Sequence, residues 1–433
     1  MEKGNKKLVN AWAFYDWANS SYPLVITAAI FPIFYVTVTN TYDHPGDGGK
    51  VISDMVTLFG HSFKNTELYD YVVALSFILV SISSPVLSGI ADYAGSKKKF
   101  MQFFCYLGAL SCASLYFFNK EYLGLSLLSV LLASVGFWGS LVFYNAYLPE
   151  IAEPKDHDRI SAKGFSLGYI GSALLLILNL VLVKVFHMDA RLSFVSVALW
   201  WAGFAQITFA KLPDSRTGKK SEGNVIFKGF KELYRVWLEL KNIKRLKRFL
   251  LSFFIYSMGV QTVMLIAVMF AKKEIVGMED SNLITSVLLI QFVGVGGAVL
   301  FSRLSKWIGN IKALGIAIFI WIGICIGTYL WVYTPNSFYV VACLVGLVMG
   351  GIQSLSRSTY SKLLPETEDH ASYFSFYDVS EKIGIVIGML SFGLIEGLTG
   401  GMRNSILALI TFFIIGFIIL LTIPKAKNLE AQT

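Results

Sequence analysis

The feature that most limits what this chain can become is the recurrence of apolar runs about twenty residues long. A hydrocarbon core of about 30 Å is crossed by roughly twenty residues of helix, at about 1.5 Å each. Twelve runs meet that length, at about 9–39, 67–90, 100–118, 122–148, 165–187, 192–210, 249–271, 282–302, 311–333, 338–363, 374–399 and 404–423. Of the 433 residues, 55% are hydrophobic, more apolar surface than a globular core can hide. The reading is an all-α membrane protein with twelve transmembrane helices. Lys3, Lys6 and Lys7 precede the first run, as in a secretory leader. That run is too long for a leader, contains Asp16 and lacks a small-residue cleavage pattern, so it reads as span one.

Charge then orients the chain. The stretch Lys211–Arg248 holds most of the net charge of +9, and it lies between two greasy halves. The division is 1–210 for a first six-helix bundle, 211–248 for a basic linker and 249–433 for a second bundle. With the N-terminus inside, inner segments collect about 27 Lys/Arg and outer loops about eight, so both termini and the linker are expected to be cytoplasmic. The basic balance is thereby explained without nucleic acid. In the linker, Phe227, Phe230, Leu233, Tyr234, Trp237 and Leu240 recur at helical spacing, which predicts an amphipathic helix on the inner leaflet, in contact with membrane lipid. The long outer loop, Asn40 to Thr66, is rich in Gly and Asp.

The halves repeat. Ser88-Gly-Ile-Ala-Asp92-Tyr-Ala-Gly95-Ser-Lys97 after span two finds an echo in Ser302-Arg-Leu-Ser-Lys306-Trp-Ile-Gly309 after span eight. Leu148-Pro149-Glu150 closes span four as Leu364-Pro365-Glu366 closes span ten. Both pairs lie about 215 residues apart, the mark of parallel duplication.

Parallel six-helix halves joined by a basic inner loop resemble the plan of the major facilitator superfamily. Asp92-x-x-Gly95-x-Lys97 resembles its loop motif between spans two and three, with the leading glycine at Gly89 rather than at Ser88. A narrower likeness lies in Ala11-Trp-Ala-Phe-Tyr15-Asp16-Trp17-Ala-Asn19-Ser20-Ser21, in Phe143-Tyr144-Asn145-Ala-Tyr147-Leu-Pro149-Glu150, in Ser161-Ala-Lys163-Gly164-Phe-Ser-Leu-Gly168-Tyr169-Ile-Gly171, and in Gly350-Gly-Ile-Gln353-Ser-Leu-Ser356-Arg357. Together these resemble the autophagy-related vacuolar amino-acid effluxers and their bacterial relatives. The resemblance implies a monomeric secondary transporter of a small molecule, most naturally an amino acid. It implies alternating access, proton coupling as one option, and a bacterial inner membrane as the setting. Another solute class (sugar, drug or lipid) and a non-transporting receptor or scaffold are the alternatives. Where many such proteins carry an Asp before the glycine of span seven, this chain has Met258, which leaves Asp16 as the coupling candidate.

In that architecture spans one, four, seven and ten line the cavity, and polar residues do concentrate there. The substrate-binding candidates are Tyr15, Asp16, Trp17, Asn19 and Ser20; Tyr144 and Asn145; Tyr256, Gln261 and Thr262; Gln353 and Arg357. Asp16 lies roughly 10 Å inside span one, where an ionised carboxylate needs a partner, water or a proton. It reads as a proton site, as a partner for a substrate ammonium, or as a charge at the inner interface. Arg357 could grip a carboxylate, snorkel to the surface or latch the two halves. Coupling or gating falls to Asp16, Asp92, Gly95, Lys97, Asp378 and Lys382. The last two stand four apart in Tyr377-Asp378-Val-Ser-Glu381-Lys382 and are expected to pair. The pairs Gly346/Gly350, Gly384/Gly388 and Gly393/Gly397 predict close helix packing.

No phosphate-cradling loop, zinc motif or nucleophile elbow occurs, which argues against an enzyme and against ATP-driven transport. The four cysteines lie in apolar runs without metal or disulfide spacing, so neither a metal nor a cofactor is expected.

Overall fold

The computed structural model describes residues 3–43, 51–214 and 225–425. Twelve of its helices are long and apolar enough to cross a membrane: Lys6–Thr39, Asn65–Ala94, Lys97–Phe117, Leu123–Ile151, Pro154–Lys184, Arg191–Lys211, Lys244–Glu274, Asp280–Ile308, Asn310–Trp331, Pro335–Leu363, His370–Thr399 and Met402–Leu421. They are spans one to twelve, each overlying an apolar run; most extend beyond it, span five by eleven residues at its start, because the polar flanks continue the helix past the hydrocarbon. The face that carries Lys3 and the end of span twelve is called the terminal face here, and the opposite one the far face.

Spans one to six form one bundle and seven to twelve the other. They meet where span two packs on span eleven and where span five packs on spans eight and ten. The repeat seen in the sequence has a backbone counterpart. Gly95 and Gly309, equivalent in the two halves, both take positive φ (61° and 85°) at the short turns after spans two and eight. A side chain would strain that turn.

Close packing explains two of the three glycine pairs. A Cβ on Gly350 would stand 2.1 Å from the Gly294 carbonyl oxygen, and one on Gly388 2.2 Å from Thr262 Oγ1. Gly393 and Gly397 face no neighbour within 4 Å, so that pair packs against nothing among the described residues.

Two features lie outside the sequence reading. Within span one the backbone opens into a π-helix over Tyr22–Ala29, ending where Ile30 N–H bonds back five residues to the Val25 carbonyl. Pro23, which has no N–H to donate, sits at its start, and wide turns of this kind commonly mark functional sites. On the far face, Met55–Leu58 and His61–Lys64 pair as an antiparallel hairpin whose tip, Phe59-Gly60, has both φ positive, as a tight primed turn requires. A smaller ladder joins Thr41–Tyr42 to Val51–Ser53; residues 44–50 of the same loop lie outside the described residues.

In the linker, Val225–Asn242 is helical, and residues 215–224 lie outside the described ones. Its Val236 and Leu240 are buried against the bundles, Trp237 lies 5.7 Å from the Phe376 ring, and the Tyr373 hydroxyl donates to Glu239 at 2.7 Å. Phe227, Phe230 and Tyr234 stay largely exposed, so the helix splits its apolar residues between protein and surroundings.

Candidate functional site

A cavity of about 270 Å³ lies between the bundles, from mid-depth toward the far face. It takes side chains from spans one, four, seven and ten, as expected, and also from spans two, five, eight and eleven. The wider set follows from the packing, since spans two, five, eight and eleven form the seam between the halves. Of the twelve candidates, Asp16, Asn19, Ser20, Asn145, Tyr256, Gln261, Gln353 and Arg357 reach the wall. Tyr15, Trp17, Tyr144 and Thr262 do not. Asp16, Asn19 and Ser20 share one face of span one at helical spacing, whereas Tyr15 and Trp17 turn about 100° away on either side. Tyr15 packs on Tyr144 and Phe209, and Trp17 stacks on Trp200. Thr262 closes on Gly388 of span eleven.

Asp16 and Arg357 meet at the end of this cavity toward the terminal face. The Arg357 Nη2 lies 3.1 Å from Asp16 Oδ2, which also accepts the Tyr144 hydroxyl at 2.8 Å. The guanidinium spends its remaining donors on the other half of the molecule as well. Nε reaches Ser161 Oγ at 2.9 Å, Nη2 the Ser161 carbonyl at 3.0 Å and Nη1 Asn145 Oδ1 at 3.4 Å. The Phe165 and Trp12 rings lie beneath it, at 4.2 and 4.9 Å. Both charges are at least nine-tenths buried. Span ten thus inserts its one arginine into the first bundle, where a carboxylate balances it one to one.

Span five explains how two helices can come so near. A Cβ on Gly164 would stand 2.3 Å from Asp16 Oδ2 and 2.9 Å from Arg357 Nη2. One on Gly168 would stand 2.4 Å from Ser20 Oγ, and one on Gly171 2.8 Å from the Trp17 carbonyl. Three glycines of the Ser161–Gly171 motif are therefore the floor on which span one rests.

Span eleven holds a second charge cluster, of which Glu381 reaches the same wall and the coupling candidates Asp378 and Lys382 do not. Lys382 Nζ lies 2.5 Å from Asp378 Oδ1, joining the two residues that stand four apart, and 2.8 Å from Glu381 Oε2. Gln261 of span seven donates to Glu381 Oε1 at 2.5 Å, and Ser84 of span two to Asp378 Oδ2 at 3.4 Å. The ammonium stands 3.9 Å over the Trp138 ring of span four. Glu381 was not singled out from the sequence. Its only signal was its place beside Lys382 within an apolar span.

Two ionic latches close the terminal face. Asp92 accepts the backbone N–H groups of Ser372 at 2.7 Å and Ala371 at 3.3 Å, at the positive end of span eleven. Lys97 joins Asp92, at 3.2 Å, to Glu150, and His370 Nδ1 stands 3.2 Å from Glu150. Gly95 turns the chain so that Asp92 and Lys97 face each other. On the other seam Asp158 of span five accepts Lys362 Nζ at 2.6 Å, Asn310 Nδ2 at 2.7 Å and Ser305 Oγ at 2.8 Å. That second latch was not foreseen, because its carboxylate lies in the first half and its partners in the second.

Comparison with known proteins fits this geometry. A family described as vacuole effluxer Atg22-like matches residues 4–433. The MFS-type transporter YxiO of Bacillus subtilis is 31% identical over all of this chain and 98% of its own length. Autophagy-related protein 22 of Eremothecium gossypii is 25% identical over 98% of this chain and 91% of its own. Among solved structures, FucP in its outward conformation superposes with a TM-score of 0.71 at 14% identity, covering 98% of this chain and 99% of that one. The human organic anion transporter MFSD10 superposes at 0.74 and 12%, covering 97% and 100%. At such identities the structures speak for the fold alone. The family match over nearly the whole chain does more: the protein belongs to the Atg22-like vacuole effluxer family and is a transporter of the major-facilitator type.

Proposed function

We propose that this protein is a secondary transporter of amino acids or similarly small zwitterions, working by alternating access in a bacterial inner membrane with its terminal face cytoplasmic. The observation that carries the reading is the Asp16–Arg357 pair, which joins span one to span ten at the end of the cavity toward the terminal face. A zwitterion carries the same two charges. Its ammonium can take Asp16 and its carboxylate Arg357, so that one neutral pair is exchanged for two without net charge in the membrane. Breaking the protein's own pair also removes the tie between the bundles, which links binding to rocking. A planar guanidinium suits a carboxylate because two parallel N–H bonds can form. The amino-acid effluxer resemblance supports the same substrate class, and the basic linker supports the orientation.

A polyol or sugar is the second reading, favoured by the amides Asn19, Asn145, Gln261, Gln291 and Gln353 along the wall. One experiment separates the two. Purified protein in liposomes is offered labelled amino acids and labelled sugars, with and without a proton gradient. Saturable amino-acid flux that falls at least about a hundredfold in Asp16→Asn and in Arg357→Gln supports the zwitterion reading. Sugar flux alone, or amino-acid flux indifferent to both substitutions, overturns it.

A further inference from the structure

The two charge clusters beside the cavity differ in balance. Asp16 faces one arginine, whereas on span eleven two carboxylates face one ammonium, leaving one negative charge in excess. Glu381 lies seven residues into the apolar run that begins at about 374, roughly 10 Å along the helix and so about as deep as Asp16, and it reaches the cavity wall. An unbalanced charge at that depth is costly unless it is hydrated or protonated. Among the described residues, no second cation stands within ion-pair distance of the triad. Span two offers the Ser84 hydroxyl, span four the Trp138 ring, and span seven the Gln261 amide and the Tyr256 phenol. Tyr377 of span eleven itself stands on the same wall, as does Arg357 of span ten, which is already paired with Asp16. Span twelve brings only Arg403, which is held at the far end by the carbonyls of Thr328, Tyr329 and Val332.

We propose that Glu381 is the proton-coupling residue of this transporter, with Lys382 and Asp378 as its positioning partners. The inference rests on the transporter reading above and moves the proton from Asp16 to span eleven. A proton from the aqueous phase adds to a Glu381 carboxylate oxygen, and Lys382 then pairs with Asp378 alone. The triad becomes neutral and tolerates a dry, closed seam. The triad also sits against the seam, because Ser84 and Trp138 of the first half contact Asp378 and Lys382 of the second. When spans two and four part from span eleven, water enters, the charged form is stabilised, and the proton leaves to that side.

The test needs no knowledge of the solute. The full-length protein in lipid nanodiscs is titrated between about pH 5 and pH 9 while infrared difference spectra follow carboxyl protonation and tryptophan emission is recorded. The expected result is one protonation step that shifts the emission, survives in Asp16→Asn and disappears in Glu381→Gln. The emission shift alone disappears in Trp138→Phe. Gln261→Leu removes a donor to the carboxylate while leaving every charge intact, so the step is expected to move. A step that persists in Glu381→Gln, a midpoint unmoved in Gln261→Leu, or a step produced by sodium at constant pH overturns the proposal. Leucine flux in liposomes is measured alongside. If leucine does not move in the unaltered protein, the amino-acid reading fails while the titration still decides the proton site.

Discussion

Asp16–Arg357 and Asp378–Glu381–Lys382 are both ionic centres beside one cavity, yet they are built for different ends. The first joins residues from opposite halves and is neutral as it stands. The second is local to one helix, borrows neutral partners from the other half and carries one charge too many. A balanced pair across a seam suits an exchange of partners with a substrate of matching charges. An unbalanced cluster suits an exchange with the proton. Burial alone does not distinguish the two; charge count and the location of partners do.

The largest expected effect comes from unbalancing the neutral centre. Arg357→Gln leaves Asp16 buried beside only the Tyr144 hydroxyl and is expected to destabilise the protein by about 3–5 kcal/mol. The double variant Asp16→Asn/Arg357→Gln is expected to recover most of that stability while remaining inactive. Thermal unfolding in detergent, read beside flux, measures both. A double variant no more stable than the single one would show that the pair is not the relevant unit.

Lys382→Met strips the only cation from span eleven and leaves two carboxylates sharing one space. A loss of about 3 kcal/mol is expected at pH 8. That loss should shrink as the pH falls, because protonating a carboxylate relieves the repulsion. Unfolding temperatures across the pH range test the sign, and a loss independent of pH would contradict the excess-charge account.

Gly164→Ala tests the balanced centre without touching a charge. Its Cβ would overlap Asp16 and Arg357, so flux is expected to drop at least about tenfold while the protein still folds. Normal flux would mean that the pair is free to shift.

Asp92→Asn is the smallest. The carboxylate accepts two N–H groups at the start of span eleven and pairs with Lys97, which keeps Glu150; the amide keeps one acceptor oxygen while losing the charge. A stability loss of about 1 kcal/mol is expected. A cysteine placed at cavity residue Ser356 is expected to gain reactivity toward a thiol reagent applied from the terminal face, because the closed form is weakened. Unchanged reactivity would remove Asp92 from the gate.

How much of this was legible beforehand varies by residue. Asp16 and Arg357 stood out because each is a charge within an apolar span, yet their spacing of hundreds of residues carries no sign that they touch. Asp378 and Lys382 were paired from sequence because four residues make one turn of helix and both partners lie on it. Glu381 escaped notice because one carboxylate beside a lysine looks satisfied. Its surplus emerges only when Asp378 is seen to share the same ammonium. The four aromatic and hydroxyl candidates that miss the cavity wall were grouped by span, and a span has several faces.

Hydropathy and charge bias are local and additive along the chain, so the sequence by itself determined the twelve spans, the two halves and the basic linker, and its motifs pointed to the family. Which carboxylate met which cation, where the glycines opened a floor, and which cluster kept an unspent charge were decided only in the tertiary structure. Those outcomes depend on how two bundles dock, and docking is set by many weak contacts between residues far apart in sequence.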